Sequence, residues 1–393
     1  MKKLSCFIIA LFLANATTAQ WFLQNPFPQA QTLQSVMFPS PSVGYAVGNW
    51  GTIIKTTNGG TNWTVLSSGT GMGFLSVYFT DPDIGYVVGI SGTILKTTNG
   101  GTNWTILSSG TTNILYSVHF TDANTGYVAG EGGTILKTIN GGTNWSTLSS
   151  GTTTFLRSVA FTDANTGYVA GDYGIIIKTT NGGTNWTTLS TGTTNDFHTI
   201  DFPDANTGYV AGDSGTILKT TNGGTNWTAL SSGTTKDLSS VFFPDANTGY
   251  AVGVSGTIIK TTNGGTNWAV LSSGTQRDLS SVYFTDALTG YTVGSGGTIL
   301  ATTDGGGYPL VVNGNNPVSN TLNLYPNPTF GKLTIETVEK GYLFLFDFNG
   351  VLLQQREITD PTTTIDINTL PCGIYLVKLV SVKNVQVGKF IKQ

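Results

Sequence analysis

The chain has 393 residues, of which only 10% are charged, while 52 are glycine. This composition is typical of turn-rich β structure, since soluble domains ordinarily carry about 25% charged residues. Between Gln20 and Leu310 nine Lys and Arg stand against fifteen Asp and Glu, a net charge of −6, which excludes a basic nucleic-acid-binding surface.

The first 19 residues have the three zones of a secretory signal. Met1-Lys2-Lys3 is basic, an apolar run follows through Leu13, and Thr17-Thr18-Ala19 supplies the small residues of a cleavage site. The alternative is a membrane anchor, but the apolar run is shorter than the roughly 20 residues that a spanning helix needs. We therefore predict a signal peptide over residues 1–19. After its removal Cys372 is the one remaining cysteine, so no intramolecular disulfide is expected.

An internal repeat of 41 residues organises residues 20–310. The stretch Thr56–Trp63 returns with its tryptophan at Trp104, Trp145, Trp186, Trp227 and Trp268, and Gly-Tyr pairs mark seven units. Each period holds four short apolar runs separated by turns, and Asn-Gly-Gly between the last two runs indicates a hairpin in which Asn and Gly accept positive φ. Units of roughly 40 to 45 residues with four strands are typical of propeller blades. The sequence predicts an all-β fold with a seven-bladed β-propeller.

The two ends of the repeat array are complementary. The seventh unit ends at Asp304-Gly305-Gly306 without a tryptophan or a fourth strand, whereas Trp21-Phe22-Leu23-Gln24 precedes the first unit. We expect this N-terminal segment to supply the missing strand and close the ring. A loose N-terminal leader is the alternative.

The repeats differ sharply between the two faces of the predicted disc. On one face Asp-Ala-Asn-Thr-Gly returns in four units, from Asp122, Asp163, Asp204 and Asp245, and Asn-Gly-Gly also recurs, as turns fixed by backbone geometry would. The loops that join the fourth strand to the next first strand, and the second strand to the third, differ between units. We predict a ligand on this variable face, contacted by Trp50, Glu131, Arg157, Asp172, Tyr173, Asp196, His198, Asp213, Lys236, Arg277 and Asp278. Drift in unconstrained loops would leave the same pattern without a ligand.

Catalytic and metal chemistry find little support in the repeats. A sialidase needs an arginine cluster, and only Arg157 and Arg277 are present. A glycosidase that uses two carboxylates stays open, because Glu131, Asp172 and Asp213 recur at one loop position. The two histidines, His119 and His198, occupy different positions of the first strand and do not form a repeated metal site. No cofactor or metal is expected.

Two resemblances to known families add to these inferences. Thr56-x-Asn58-x-Gly60-x-Asn62-Trp63 resembles the Asp-box of neuraminidase-type repeats, and with Gly-Tyr-Val-Ala-Gly and Gly-Thr-Ile-Leu-Lys-Thr-Thr the whole unit resembles the photosystem II stability and assembly factor propellers. That resemblance covers roughly residues 21 to 310. It implies a non-enzymatic, protein-binding propeller, although a shared fold does not carry over a photosynthetic role.

The composition changes after residues 311–320, which we interpret as a linker. Leu324-Tyr-Pro-Asn-Pro-Thr-Phe-Gly-Lys332, Leu370-Pro-Cys-Gly-Ile-Tyr-Leu-Val-Lys378 and Lys389-Phe-Ile-Lys392 resemble the type A C-terminal sorting domain of type IX secretion. The resemblance implies a small β-sandwich over 321–393, a Bacteroidota-like source and a type IX export machine as partner. It also implies a route through the periplasm to the cell surface or medium. Cys372 is expected to pack in this domain rather than react.

The sequence therefore predicts an exported propeller that binds a protein or a glycan without enzymatic activity. A carbohydrate-active glycoside hydrolase is one alternative, and a structural or adhesive surface protein is another. Neither the ligand nor the oligomeric state follows from the sequence.

Overall fold

The computed structural model describes residues 21–24, 29–306, 322–337, 340–346, 352–381 and 385–393. The predicted signal peptide and linker lie outside the described residues. Contacts between residues divide the chain into two compact units, Met1–Leu310 and Val311–Gln393. No helix in the described ranges is long and apolar enough to span a bilayer.

The first unit confirms the predicted all-β propeller of seven four-stranded antiparallel sheets. Strands A are β2 (Leu33–Met37), β6 (Phe74–Phe79), β10 (Leu115–Phe120), β14 (Leu156–Phe161), β18 (Phe197–Asp201), β22 (Leu238–Phe242) and β26 (Leu279–Phe284). Strands B are β3 (Gly44–Gly48), β7 (Gly85–Gly89), β11 (Gly126–Gly130), β15 (Gly167–Gly171), β19 (Gly208–Gly212), β23 (Gly249–Gly253) and β27 (Gly290–Gly294).

The outer half of each blade is a hairpin of strands C and D. Strands C are β4 (Thr52–Thr56), β8 (Ile94–Thr97), β12 (Ile135–Thr138), β16 (Ile176–Thr179), β20 (Ile217–Thr220), β24 (Thr257–Thr261) and β28 (Ile299–Thr302). Strands D of blades 1 to 6 are β5 (Thr64–Leu66), β9 (Thr105–Leu107), β13 (Ser146–Leu148), β17 (Thr187–Leu189), β21 (Thr228–Leu230) and β25 (Ala269–Leu271). Strand D of blade 7 is the N-terminal β1 (Phe22–Leu23), which pairs antiparallel with β28.

The N-terminal strand is held by packing as well as by pairing. Trp21 is 1% exposed, and its ring lies edge-on to Phe284 at 5.8 Å and to Tyr250 at 6.5 Å. The contact with Phe284 is the one that the tryptophan of each other blade makes with its own phenylalanine, as Trp104 does with Phe79. The first and last segments of the propeller therefore meet within one blade.

Aromatic layers between blades explain the repeated Gly-Tyr pair. Tyr86 of strand B stacks on Phe120 of the next blade at 4.0 Å between ring centroids. The glycine before Tyr86 is required because a methyl group at Gly85 would overlap the Phe79 ring. The hydroxyl of Tyr86 and the Nζ of Lys96 both donate to the carbonyl of Gly141, at 2.9 and 2.6 Å. Each turn is thus bonded to the blade before it.

The Asn-Gly-Gly turn differs in one respect from the sequence-based prediction. Gly59 and Gly60 both take positive φ, but Asn58 does not. Its Oδ1 instead accepts hydrogen bonds from the hydroxyl of Thr56 at 3.0 Å and the backbone N–H of Asn62 at 2.9 Å. The asparagine is therefore selected for side-chain hydrogen bonding rather than for tolerance of a left-handed backbone.

Strands A form the innermost ring, and each one contains a β-bulge near its start. The inner edge of a strand A has no neighbouring strand to accept its N–H groups. A hydroxyl from the preceding blade accepts one of them, as when the N–H of Val118 donates to Ser76 Oγ at 3.3 Å. The other hydroxyls in this role are those of Ser35, Ser117, Ser158, Thr199, Ser240 and Ser281. The seventh bond runs from Val36 to Ser281, so the series closes on itself.

The C-terminal unit is a small two-sheet sandwich. One sheet has the order β29 (Asn323–Tyr325), β30 (Lys332–Glu336), β33 (Thr362–Asp366). The other has the order β32 (Leu352–Ile358), β31 (Gly341–Phe346), β34 (Gly373–Ser381), β35 (Val385–Lys392). Leu333, Ile365, Val377 and Phe390 are among the residues that fill the core between them. The predicted packing role of Cys372 is wrong, because this residue precedes β34 and is exposed.

Candidate functional site

The turns between strands B and C place two large aromatic side chains in solvent. Each turn is a three-residue 3-10 segment that ends in a glycine of positive φ, and its middle residue is left-handed in all seven blades. Trp50 and Tyr173 hold this middle position with φ of 58° and 57°, and their side chains are 75% and 76% exposed. A left-handed backbone is unfavourable for bulky residues. Glycine or serine holds the same position in the other five blades.

Aspartates from the next D-to-A loop fasten three of these turns. Asp196 Oδ1 accepts the backbone N–H of Tyr173 at 2.8 Å, and Asp278 Oδ1 accepts that of Ser255 at the same distance. Asp237, which sequence reasoning did not select, does the same for Ser214. Asp196 and Asp278 were predicted to contact ligand, but these bonds give them a role in fixing the loops of the face.

Arg157 and Asp172 form a two-point ion pair within blade 4. The guanidinium Nε and Nη2 donate to the two carboxylate oxygens at 2.5 and 3.0 Å. The guanidinium carbon also lies 5.0 Å from the centre of the Tyr116 ring and 5.9 Å from that of Phe155. Asp172 is buried and Arg157 half-buried, so this pair forms a fixed part of the surface next to Tyr173.

The equivalent pair in blade 5 is His198 and Asp213, with Nε2 and Oδ1 2.7 Å apart. His198 and Arg157 lie exactly one repeat apart on strand A, as do their two aspartates. Tyr116 and Glu131 hold the same two positions in blade 3, and Glu131 Oε2 accepts the backbone N–H of Ile114 at 3.2 Å. Burial raises the pKa of the Tyr116 phenol. Blades 3 to 5 thus carry a continuous aromatic and charged surface, which we call the blade 3–5 cluster: Tyr116, Glu131, Phe155, Arg157, Asp172, Tyr173, Asp196, His198 and Asp213.

The remaining predicted residues lie outside this cluster. Arg277, in the loop that leads into blade 7, donates from Nη1 to the carbonyl of Gly296 in the B-to-C turn of that blade at 2.7 Å. Lys236 is exposed on the loop before blade 6. Trp50 belongs to blade 1, which is three blades from blade 4 by the shorter way around a ring of seven. The structure therefore groups most of the predicted residues but leaves Trp50, Lys236, Arg277 and Asp278 apart.

Tyr116 and Phe155 were missed by sequence reasoning. Tyr116 lies inside a strand rather than a loop, and only the 41-residue spacing to Arg157 signals that it shares the variable face. The β-bulge allows Tyr116 to share the variable face, because the extra residue lets two successive side chains of strand A avoid the space between blades. Phe155 lies at the position of Asp196 one repeat earlier.

Two titratable groups on strand A lie deeper, near the axis of the ring. His119 and Asp201 hold the same repeat position in blades 3 and 5, separated by Ala160 in blade 4. Burial lowers the pKa of His119 to about 4 and raises the pKa of Asp201 to about 6. Asp201 Oδ2 accepts the backbone N–H of Phe243 at 2.9 Å, the edge-capping role that serine performs two residues earlier. We assign these groups to the interior of the fold rather than to the face.

The described residues contain no group of three or more His, Cys, Asp or Glu side chains arranged to hold a metal ion. The acidic residues of the blade 3–5 cluster already accept hydrogen bonds from Arg157, His198 or backbone amides. The cluster therefore presents fixed aromatic surfaces and remaining polar atoms, an arrangement suited to recognition.

The propeller matches a known protein family. The model of the photosynthesis system II assembly factor YCF48 family matches four overlapping segments, residues 13–107, 65–149, 102–230 and 186–273. Together they cover well over half of the chain. The chain belongs to this family. None of the curated proteins matches it.

Solved structures give the same fold for this YCF48-family chain. A structure titled YCF48 bound to D1 peptide is 19% identical, with a TM-score of 0.63 over 72% of this chain and 95% of the other. YCF48 from Cyanidioschyzon merolae is 22% identical, with a TM-score of 0.62 over 72% and 98%. A GH74 enzyme from Niastella koreensis is 16% identical, with a TM-score of 0.63 over 80% and 59%. At these identities the similarity concerns fold alone.

The C-terminal unit has its own match. Residues 323–393 match the secretion system C-terminal sorting domain. The chain is therefore cargo of the type IX secretion system, exported to the cell surface or the medium. The predicted resemblance to the sorting domain is confirmed.

Proposed function

We propose that this exported propeller is a non-enzymatic binding module whose protein or glycan ligand docks on the blade 3–5 cluster. The observation that carries the proposal is Tyr173, whose ring is 76% exposed on a left-handed backbone held by Asp196. Unfavourable backbone geometry is retained at positions where function needs a side chain in one place. Aromatic side chains on fixed backbones are the residues that contribute most to binding energy.

The occupied carboxylates favour binding over hydrolysis. A glycosidase of the two-carboxylate type needs one acid to protonate the leaving oxygen and one base or nucleophile. Both oxygens of Asp172 accept bonds from Arg157, and Asp213 accepts one from His198. Glu131 accepts one bond from the backbone N–H of Ile114, so each of the three carboxylates is already engaged.

The test combines ligand arrays with substitution at the face. The full chain is applied to arrays of oligosaccharides and of surface proteins, and dissociation constants are then measured for the species bound. Tyr173→Ala should weaken binding by about 1 kcal/mol or more, roughly a fivefold rise in Kd. Trp50→Ala tests whether the ligand extends to blade 1. Ser91→Ala, at the same turn position in blade 2, is the matched control.

Arg157→Ala is a poor first probe, because it would leave Asp172 buried without its partner and destabilise the fold. Full binding by Tyr173→Ala, with loss of binding on substitution of the Asp-Ala-Asn-Thr-Gly turns in a folded protein, would place the ligand on the opposite face. Turnover of a bound glycan that disappears in Glu131→Gln would instead establish an enzyme.

A further inference from the structure

The two outward faces of the C-terminal sandwich differ in polarity. On the small sheet every described outward side chain of β30 and β33 is charged or hydroxylated. Direct cross-strand pairs join Lys332 to Asp366 and Thr334 to Thr364. A sheet with one face in a core and one face in water is expected to show this alternation. The small sheet therefore follows the pattern of a domain that needs no partner on that side.

The large sheet breaks that pattern. Tyr375, Val377 and Phe390 point into the core, so the alternate residues of β34 and β35 point outward. Those outward residues include Ile374, Leu376, Val387 and Ile391, which are 40%, 38%, 48% and 40% exposed. Ile374 lies directly opposite Ile391, and Leu376 lies opposite Phe346 of β31 on its other side. We call these five residues the outer sheet face: Phe346, Ile374, Leu376, Val387 and Ile391.

The charges beside these apolar residues are positive, while the acidic Glu357 lies opposite Tyr342 on the edge strand β32. Lys389 lies opposite Leu376, and Lys378 lies opposite Val387. The described outward residues of β31, β34 and β35 include no Asp or Glu. Contiguous exposed apolar residues on a soluble domain indicate an interaction surface. Lys389, exposed on the edge strand β35, favours a partner that presents a carboxylate beside an apolar patch.

The free edge of β35 is blocked, which excludes strand addition there. Asn327 bonds to the backbone of β35 at two points, donating Nδ2–H to the carbonyl of Lys389 at 2.8 Å and accepting the N–H of Ile391 at 3.0 Å. Thr329 continues the cover with a parallel bridge to Lys392. At the opposite edge of the sheet, β32 carries Arg356 and Glu357, and charged residues discourage pairing with another strand. A partner of the large sheet must therefore use its outward face.

We propose that the outer sheet face is the surface by which the sorting domain binds a component of the type IX secretion machinery, and that this component presents an apolar patch bordered by acidic side chains. The domain's match to secretion sorting domains supplies the partner, since such a domain acts by being recognised. The proposal concerns export alone and does not depend on what the propeller binds.

The experiment measures export of the full chain from a bacterium that has a type IX system. The test variant is Ile374→Thr with Ile391→Thr, a facing pair whose replacement keeps β-branched side chains in the strands. The control is Thr334→Ser with Thr364→Ser, a facing pair on the polar sheet. Extracellular protein should fall by about tenfold or more in the test variant, with accumulation in the periplasm, and stay unchanged in the control.

A charge reversal guards against a folding defect. Lys389→Glu changes an exposed side chain on the proposed surface, and Lys332→Glu makes the same change on the polar sheet. Lys389→Glu should reduce export and Lys332→Glu should not. Export of both outer-face variants at the level of the unaltered chain would overturn the proposal. Self-association of the purified chain that the isoleucine pair abolishes, with export unaffected, would also overturn it and assign the face to a second copy.

Discussion

At the scale of single residues, Tyr173 combines a cost in stability with a gain in binding. Its left-handed backbone lowers the stability of the fold, and its exposed ring is proposed to contact the ligand. A left-handed backbone costs a residue with a Cβ about 1–2 kcal/mol. Tyr173→Gly should therefore raise the free energy of unfolding by roughly 1 kcal/mol, measured by denaturant titration, while binding is lost. Ser214→Gly is the control, because it relieves the same strain in blade 5 without removing an aromatic ring. A less stable Tyr173→Gly would contradict this account.

His119 and Asp201 should give opposite pH dependence. The pKa of Asp201 is raised to about 6, so the folded protein holds a proton that the unfolded chain releases, and stability from this group falls as pH rises towards 6. The pKa of His119 is lowered to about 4, so the unfolded chain binds the proton first, and stability from this group rises with pH from about 4 to its ordinary value near 6.5.

The two effects overlap and partly cancel between about pH 4 and 6. Asp201→Asn keeps an acceptor for the N–H of Phe243 and removes the loss of stability that Asp201 causes as pH rises. Between pH 4 and 6 the free energy of unfolding of this variant should therefore rise by about 1–2 kcal/mol more than that of the unaltered chain. His119→Gln should do the reverse. Thermal melting at a series of pH values measures both, and parallel curves for all three proteins would refute the assignment.

At the scale of elements, β1 is the strand on which blade 7 depends. Trp21→Ala removes a fully buried ring that contacts Phe284 and Tyr250, and such losses cost about 3–5 kcal/mol. Deletion of residues 21–24 removes this ring together with the pairing of β1 and β28. It should therefore lower the melting temperature at least as much as Trp21→Ala does. Tyr291 supplies the hydroxyl bond from blade 7 to Gly59 of blade 1, but Ala301 replaces the lysine present at the other joints. An unchanged melting temperature after the deletion would show that β1 contributes nothing.

The Tyr-Pro-Asn-Pro block has a comparable role at an edge of the C-terminal sandwich. Asn327→Ala removes both bonds to the β35 backbone and should destabilise this unit by about 1–3 kcal/mol. Asn323→Ala, whose amide reaches only an exposed Glu336 at 3.4 Å, is the control. Hydrogen exchange at the amide of Ile391 reports the change directly, and equal protection in both variants would argue against the edge-capping role.

At the scale of the whole molecule, the architecture could be predicted from sequence alone because each 41-residue repeat encodes one complete blade. The 41-residue period, the Gly-Tyr pairs and Trp21 are local or periodic signals, and each determines a strand or a turn. The blade 3–5 cluster was predicted only in part. Arg157 and Asp172 are 15 residues apart, and their pairing depends on a bulge and a turn that bring the start of strand A beside the end of strand B. Nothing in residue type distinguishes Asp213 beside a histidine from a solvated loop acid.

The division into a propeller and a sorting domain leads to a prediction about the mature protein. The sorting unit serves export, and the predicted linker over 311–320 lies between it and the propeller in the sequence. Mass spectrometry of the protein recovered outside the cell should show a chain ending near this linker. Recovery of a chain that still ends at Gln393 would mean that the sorting domain is retained.

The pairing of β1 with β28 also sets an order of events in time. Phe22 and Ala301 are neighbours in the sheet, yet they are 279 positions apart in the chain, so this strand pairing carries the highest loop-entropy cost in the propeller and is expected to form late. This segment is synthesised before every blade and must wait for the last one. Until then β1 has no partner strand, and the apolar side chains of Trp21, Phe22 and Leu23 stay exposed on the incompletely folded chain. A folding helper that shields this segment during export would act where spontaneous folding is slowest.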